Sequence, residues 1–132
     1  MALTHNPYSS YSNTRAATAS KADLVVMLYE AAIRFIREIS LRIDHQEFQA
    51  KAKAVDNALA IVNELKMSIS YSYNNELAGN LMNIYNFATR EISTANIKNQ
   101  HGQLEAVVEV LGTLKTAWEE TARIEKQNMI SS

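Results

Sequence analysis

Residues Ser20–Ile43 read SKADLVVMLYEAAIRFIREISLRI, and the apolar pattern of this stretch decides the fold class. Ser20 followed three positions later by Asp23 has the form of a capping box, in which two side chains bond each other's backbone N–H groups at a helix start. Leu24, Leu28, Ala31, Phe35 and Ile39 then recur every three or four residues, as one buried stripe of an α-helix requires. At about 100° per residue, Val25, Tyr29, Ala32, Ile36 and Ile43 widen that stripe. Val26, Met27, Ile33 and Leu41 flank or enter the sector that holds Asp23, Glu30, Arg34 and Arg37. Only a thin polar strip is left, so the helix is either enclosed by neighbours of its own fold or keeps one flank for a partner.

Outward from this helix the chain divides into an N-terminal arm at 1–19, a four-helix domain at 20–124 and a frayed C-terminal tail at 125–132. The arm is rich in Ser, Thr and Asn, carries Tyr8 and Tyr11, and is expected to be flexible. Asp44 and Glu47 suggest a second capping box, after which Phe48, Val55, Val62 and Ile69 repeat every seven residues, flanked by Ala52, Leu59 and Leu65. Residues 70–75 break the pattern, and Asn74 or Asn75 can cap a third helix with the stripe Leu77, Leu81, Ile84, Ala88, Ile92 and Ala95. A polar stretch from Asn96 to Gly102 precedes the last stripe of Leu104, Val107, Leu111, Leu114, Trp118 and Ala122. Four amphipathic helices with short connections predict an all-α, antiparallel up-down four-helix bundle.

Composition limits the functions open to such a bundle. At 132 residues and 47% hydrophobic content the chain is one domain with material for a core, and a single Pro lets helices run long. A net charge of −1 gives no general attraction to nucleic acid or anionic lipid. With no Cys there is no disulfide, thiolate site or Cys nucleophile, which fits a reducing cytoplasm. The first residues lack the basic and apolar regions of an export signal, and no apolar run is long enough for membrane insertion.

Catalytic signatures are equally sparse. A di-iron bundle uses Glu-x-x-His pairs, but Ala2, Arg42 and Lys98 stand three residues before His5, His45 and His101. These His read as surface residues of an arm and two connections, and neither metal nor cofactor is expected. The glycines at 79, 102 and 112 form no phosphate loop, and Gly112, inside the last helix, reads as a place of close helix packing. No enzyme pattern survives. Apolar residues displaced from the stripes do: Ile61, Met67 and Tyr71 on the second helix, Met82 and Phe87 on the third, Val110 and Ile124 on the fourth. Grooves lined by such residues could receive the apolar face of a foreign amphipathic helix, with Val26, Met27, Ile33 and Phe87 as candidate contacts. Tyr8 and Tyr11 could cover a groove until the partner arrives. A histidine phosphotransfer bundle and a self-associating structural bundle are the alternatives.

The segment Thr18–Glu30, TASKADLVVMLYE, followed by Ala32-Ile33-Arg34-Phe35, resembles the first-helix signature of the FliS family of flagellin-specific export chaperones. Asn80-Leu81 with Ile84-Tyr85, then Ala95-Asn96, resembles the family's third helix. Glu109 through Leu111, Leu114 and Ala117-Trp118 resemble its last, so the likeness runs from about Tyr8 to Glu120. Lys21 stands where the family usually has Pro, Ala31 where it has Gly, and Asn74-Asn75 where a Gly pair precedes Glu. The resemblance implies a cytoplasmic, non-enzymatic chaperone that binds the disordered C-terminal segment of flagellin as a 1:1 complex, blocks premature polymerisation and meets a flagellar export gate component. It also brings Asn80, Tyr85 and Asn96 into the expected flagellin-binding set.

Overall fold

The computed structural model describes residues 20–69 and 74–131. Four helices follow in order: α1 (Lys21–Asp44), α2 (Phe48–Ser68), α3 (Asn75–Lys98) and α4 (Leu104–Ser131). Each packs on its neighbours in a closed ring, α1 on α2 and α4, α3 on α2 and α4, while the diagonal pairs barely touch through their backbones. With short connections between sequential helices, this is the antiparallel up-down bundle. The α3–α4 seam is the slightest of the four.

Local chemistry accounts for two of the helix starts. Ser20 Oγ accepts from Asp23 N at 3.1 Å while Ser20 N donates to Asp23 Oδ2 at 3.2 Å, completing the capping box read from the sequence. Asn74 Oδ1 accepts from Leu77 N at 2.8 Å, one of the two caps the sequence offered for this helix. The start of α2 differs from expectation. Asp44 is the last residue of α1, and Glu47 sits at the N-cap without a side-chain cap bond. Both carboxylates are engaged elsewhere: Arg42 Nη1 donates to Glu47 Oε1 at 2.5 Å, and His101 Nε2 lies 2.7 Å from Asp44 Oδ1. α3 ends at Asn99, whose φ of 52° is the left-handed cap that Asn tolerates.

The core is one contiguous cluster drawn from all four helices. On α1 the expected stripe is only partly central: Ala31 and Ile39 are buried, but Leu24 is 38% exposed and Leu28 and Phe35 are half-buried, whereas Tyr29, Ala32 and Ile36 beside it are fully enclosed. The residues that widened the stripe are its middle, because α1 is covered from two sides. On α2, Val55, Val62 and Ile69 are buried as the seven-residue repeat requires, but Phe48 is 48% exposed and Ala52 is exposed. Lys51, Ala54, Ala58, Ile61 and Leu65 complete the buried face, so Ile61 belongs to the core and not to a displaced surface. On α3, Leu77 is exposed. α4 runs unbroken through Gly112 and past Glu125 to Ser131, so residues 125–131, expected as a frayed tail, are helical.

Two polar devices fasten α3. Tyr29 on α1 and Tyr85 on α3 share a hydroxyl–hydroxyl hydrogen bond across the core diagonal, with ring centroids 6.4 Å apart and planes at 45°. On α2 the largely buried Lys51 sends its Nζ to Asn96 O at 3.0 Å and Asn99 Oδ1 at 2.7 Å. A cation at the C-terminal end of α3 meets carbonyls that have no partner within the helix and the negative end of the helix dipole. Its position 5.4 Å above the Phe48 ring adds a cation–π contact and gives the exposed ring a role.

Candidate functional site

The surface between helices carries shallow grooves. One lies between α1 and α4, about 460 Å³, with Ile33, Val108 and Gly112 in its lining and Glu30, Arg34, Arg37 and Lys115 around them. It meets a second stretch of about 320 Å³ at Glu30, lined also by Asp23, Val26, Glu119, Ala122, Arg123 and Lys126. A smaller groove of about 260 Å³ follows the α1–α2 seam at Phe35, Ala50 and Ala54. A pocket of about 460 Å³ between α3 and the last connection has a largely polar lining, with Arg90, Glu91, Thr94 and Lys98 from α3 and Gln100, Gly102 and Gln103 from the connection.

The expected site residues do not converge. Ile33 is half-buried and packs on the edge of the core where it faces the α1–α4 groove, and Val26, though largely buried, lines the continuation of that groove. Met27 is buried and stands apart from the contiguous core, so it offers no open contact in this state. Tyr85 is 2% exposed, enclosed by the core and bonded to Tyr29, so it offers no open contact in this state. Phe87, half-buried on α3, packs against the core with the Arg90 guanidinium 5.7 Å from its ring centroid. Asn80 is exposed near the start of α3, and Asn96 lends its backbone carbonyl to Lys51 at the far end of the same helix. Tyr8, Tyr11 and Tyr71 lie outside the described residues.

Gly112 also departs from expectation. Among the described residues a Cβ built there would meet nothing within 4 Å, so this glycine serves no close approach between the described helices. Glycine inside a helix is less favourable than alanine by about 1 kcal/mol, and at Gly112 no packing contact among the described residues offsets that cost.

Electrostatics at the surface are local. Glu47 and then Glu38, bonded at 2.5 and 2.6 Å, raise the Arg42 guanidinium above its ordinary value. Near the end of α4 the bidentate Arg123 contact, 2.6 and 2.9 Å, holds the Glu120 carboxyl below the usual glutamate range. Arg37 is in no ion pair among the described residues. No group of three or more His, Asp or Glu among the described residues could hold a metal ion, and no described helix is long and apolar enough to cross a membrane. His45 caps the end of α1 and His101 stands in the last connection against Asp44, so neither presents a ring from the middle of a helix face.

A four-helix bundle with part-apolar grooves along its seams has the form of a module that binds another polypeptide. The comparisons with known proteins give that class its particular member. The family profile described as Flagellar protein FliS matches residues 4–126, and the chain belongs to that family. Among its relatives, the flagellar secretion chaperone FliS of Bacillus subtilis is 28% identical over 93% of this chain and 91% of its own length. The protein of the same description from Campylobacter jejuni is 29% identical over 86% of this chain and 88% of its own. The FliS of Escherichia coli is 28% identical over 79% of this chain and 77% of its own. A solved structure described as a flagellar chaperone from bacteria superposes with a TM-score of 0.73 at 18% identity, covering 86% of this chain and 93% of that one, which shows the shared fold. The family is one of secretion chaperones rather than enzymes.

Proposed function

We propose that this chaperone binds the disordered C-terminal segment of flagellin in the cytoplasm, keeps it from polymerising before export, and hands it to the flagellar type III export apparatus through contact with an export gate component. The observation that carries this reading is the family match over residues 4–126, nearly the whole bundle. The structure supplies a physical basis. A disordered client loses conformational freedom on binding, and an extended contact with apolar surface offsets that loss. The seams between α1, α2 and α4 offer such surface as a series of grooves around one rigid core, without a single deep pocket.

Titration with a peptide comprising the C-terminal region of flagellin from the same organism tests the reading by calorimetry and circular dichroism. The expected result is a 1:1 complex, a gain of helix, and a negative heat-capacity change from apolar burial. A folded bundle that ignores this peptide refutes the assignment. Transfer of phosphate from a response regulator to His45 or His101 would favour a signalling bundle, and a stable dimer without client would favour a self-associating one.

A further inference from the structure

Of the four helices α3 has the least packed against it, and its two halves are held very differently. Both polar devices that fasten it act from Tyr85 onward. The Tyr29 hydroxyl meets Tyr85 across the core, and Lys51 Nζ reaches Asn96 O and Asn99 Oδ1 at the C-terminal end. Tyr85, Ala88, Ile92 and Ala95 are buried along the same half. Over 75–84 the only buried side chain is Leu81, while Asn75, Glu76, Leu77, Gly79, Asn80 and Asn83 are exposed. Among the described residues, no side chain of 75–84 makes a polar contact with another helix.

The residue types weaken that half further. Gly79 lies inside the helix, and a Cβ placed there meets nothing within 4 Å among the described residues, so its backbone freedom is uncompensated by packing. Asn80 and Asn83 carry side chains that compete with the helix for backbone hydrogen bonds. At the start, Asn74 Oδ1 and Asn74 O accept from Leu77 N and Ala78 N, so the first turn is secured by its own cap and not by a neighbour. Across the way lies the slightest seam of the bundle, that between α3 and α4.

We propose that residues 75–84 form a strap that opens locally while the bundle stays folded, with the Tyr29–Tyr85 hydroxyl pair as the clasp at which opening stops. Lys51 latches the remainder of α3 in place. Release withdraws one buried side chain, Leu81, and so exposes far less apolar surface than unfolding of the domain; the core beneath it is uncovered while α1 and α2 remain paired. The opening belongs to the free protein and does not depend on which client it carries.

The test is amide hydrogen exchange of the client-free protein, read residue by residue by NMR in low, rising urea, for the wild type and for Gly79→Ala, Lys51→Met and Tyr85→Phe. Far-UV circular dichroism confirms that each variant is folded. In the wild type, amides of 79–84 should exchange about a hundredfold faster than those of 88–95, at rates nearly independent of urea because little surface is exposed. Lys51→Met should speed exchange of 88–95 about tenfold and leave 79–84 unchanged, since the latch is intact in both the closed and the strap-open state. Gly79→Ala should slow 79–84 about fivefold, the worth of the improved helix propensity. Tyr85→Phe should carry the urea-independent behaviour past the clasp into 85–88. If 79–84 share the urea dependence of 88–95 and speed up equally in Lys51→Met, α3 opens only as a whole and there is no strap. Unchanged exchange of 79–84 in Gly79→Ala overturns local unfolding of this segment, and an unmoved boundary in Tyr85→Phe overturns the tyrosine pair as its clasp.

Discussion

Tyr85→Phe should damage the stability of the bundle and leave client affinity unchanged. Tyr29 and Tyr85 are 0% and 2% exposed, and their hydroxyls meet across the core. Removing one hydroxyl deletes a hydrogen bond and leaves the Tyr29 hydroxyl without that partner in a low-dielectric interior, a combined cost of about 2 kcal/mol. With a urea m-value of about 1.5 kcal/mol per molar, this shifts the midpoint of unfolding down by roughly 1.3 M. Tyr29→Phe should cost a similar amount. The double variant should cost clearly less than the sum, because two apolar rings retain the 6.4 Å packing with no hydroxyl left to desolvate. Urea unfolding of the four proteins, followed by far-UV circular dichroism, measures the cycle, and calorimetry with the flagellin peptide supplies the second axis. Additive single effects would refute the coupling. A loss of client affinity for Tyr85→Phe at unchanged stability would return Tyr85 to the binding surface and refute its placement.

Lys51→Met keeps the buried stem but withdraws the donor from Asn96 O and Asn99 Oδ1, so a loss of about 1–2 kcal/mol is expected, with faster amide exchange in the last turn of α3. Unchanged stability and exchange would show that α3 closes without this lysine. The Glu120 carboxyl should titrate below ordinary glutamate in NMR and return toward that value in Arg123→Ala. Because its folded value is depressed, the pair's contribution is present above the unfolded glutamate value and is lost as pH falls through the folded one; salt should shrink it, since both groups are exposed. An unchanged Glu120 titration in Arg123→Ala would refute the attribution to Arg123.

What the sequence discloses here depends on how far apart the deciding groups lie. Ser20 with Asp23 and Asn74 with Leu77 are three residues apart, and both caps form as the local pattern indicates. Asp44 and Glu47 make the same local pattern and fail, because Arg42 and the distant His101 take the two carboxylates. The residues of α1 that form the core were visible, yet its apolar arc could not say which part would be central until two neighbours covered it. Two further signals stand in the sequence itself. Leu81, Tyr85, Ala88 and Ile92 fall on one helical stripe, which marks Tyr85 as core whatever the family likeness implies for it. Lys51 occupies the stripe of Ala54, Ala58 and Leu65, and a cation in such a place calls for carbonyl partners from another helix. The α1–α4 groove was only half legible: Val26 and Ile33 were named from their sector, while Gly112 and the cationic rim depend on the pairing of α1 with α4.

The slight α3–α4 seam makes the protein able to report on itself. Trp118 is the only tryptophan of the chain, and it stands half-buried on α4 against the edge of the core. Val110 and Leu114 on the same helix, and Ile84 and Phe87 on α3, share that half-buried condition. The one indole therefore samples the edge of the core on α4, so its emission colour and its accessibility to a soluble quencher register changes in the wetting of that helix without a label. A change in the packing of α4 can thus be followed with ultraviolet light alone, at concentrations far below those that calorimetry needs.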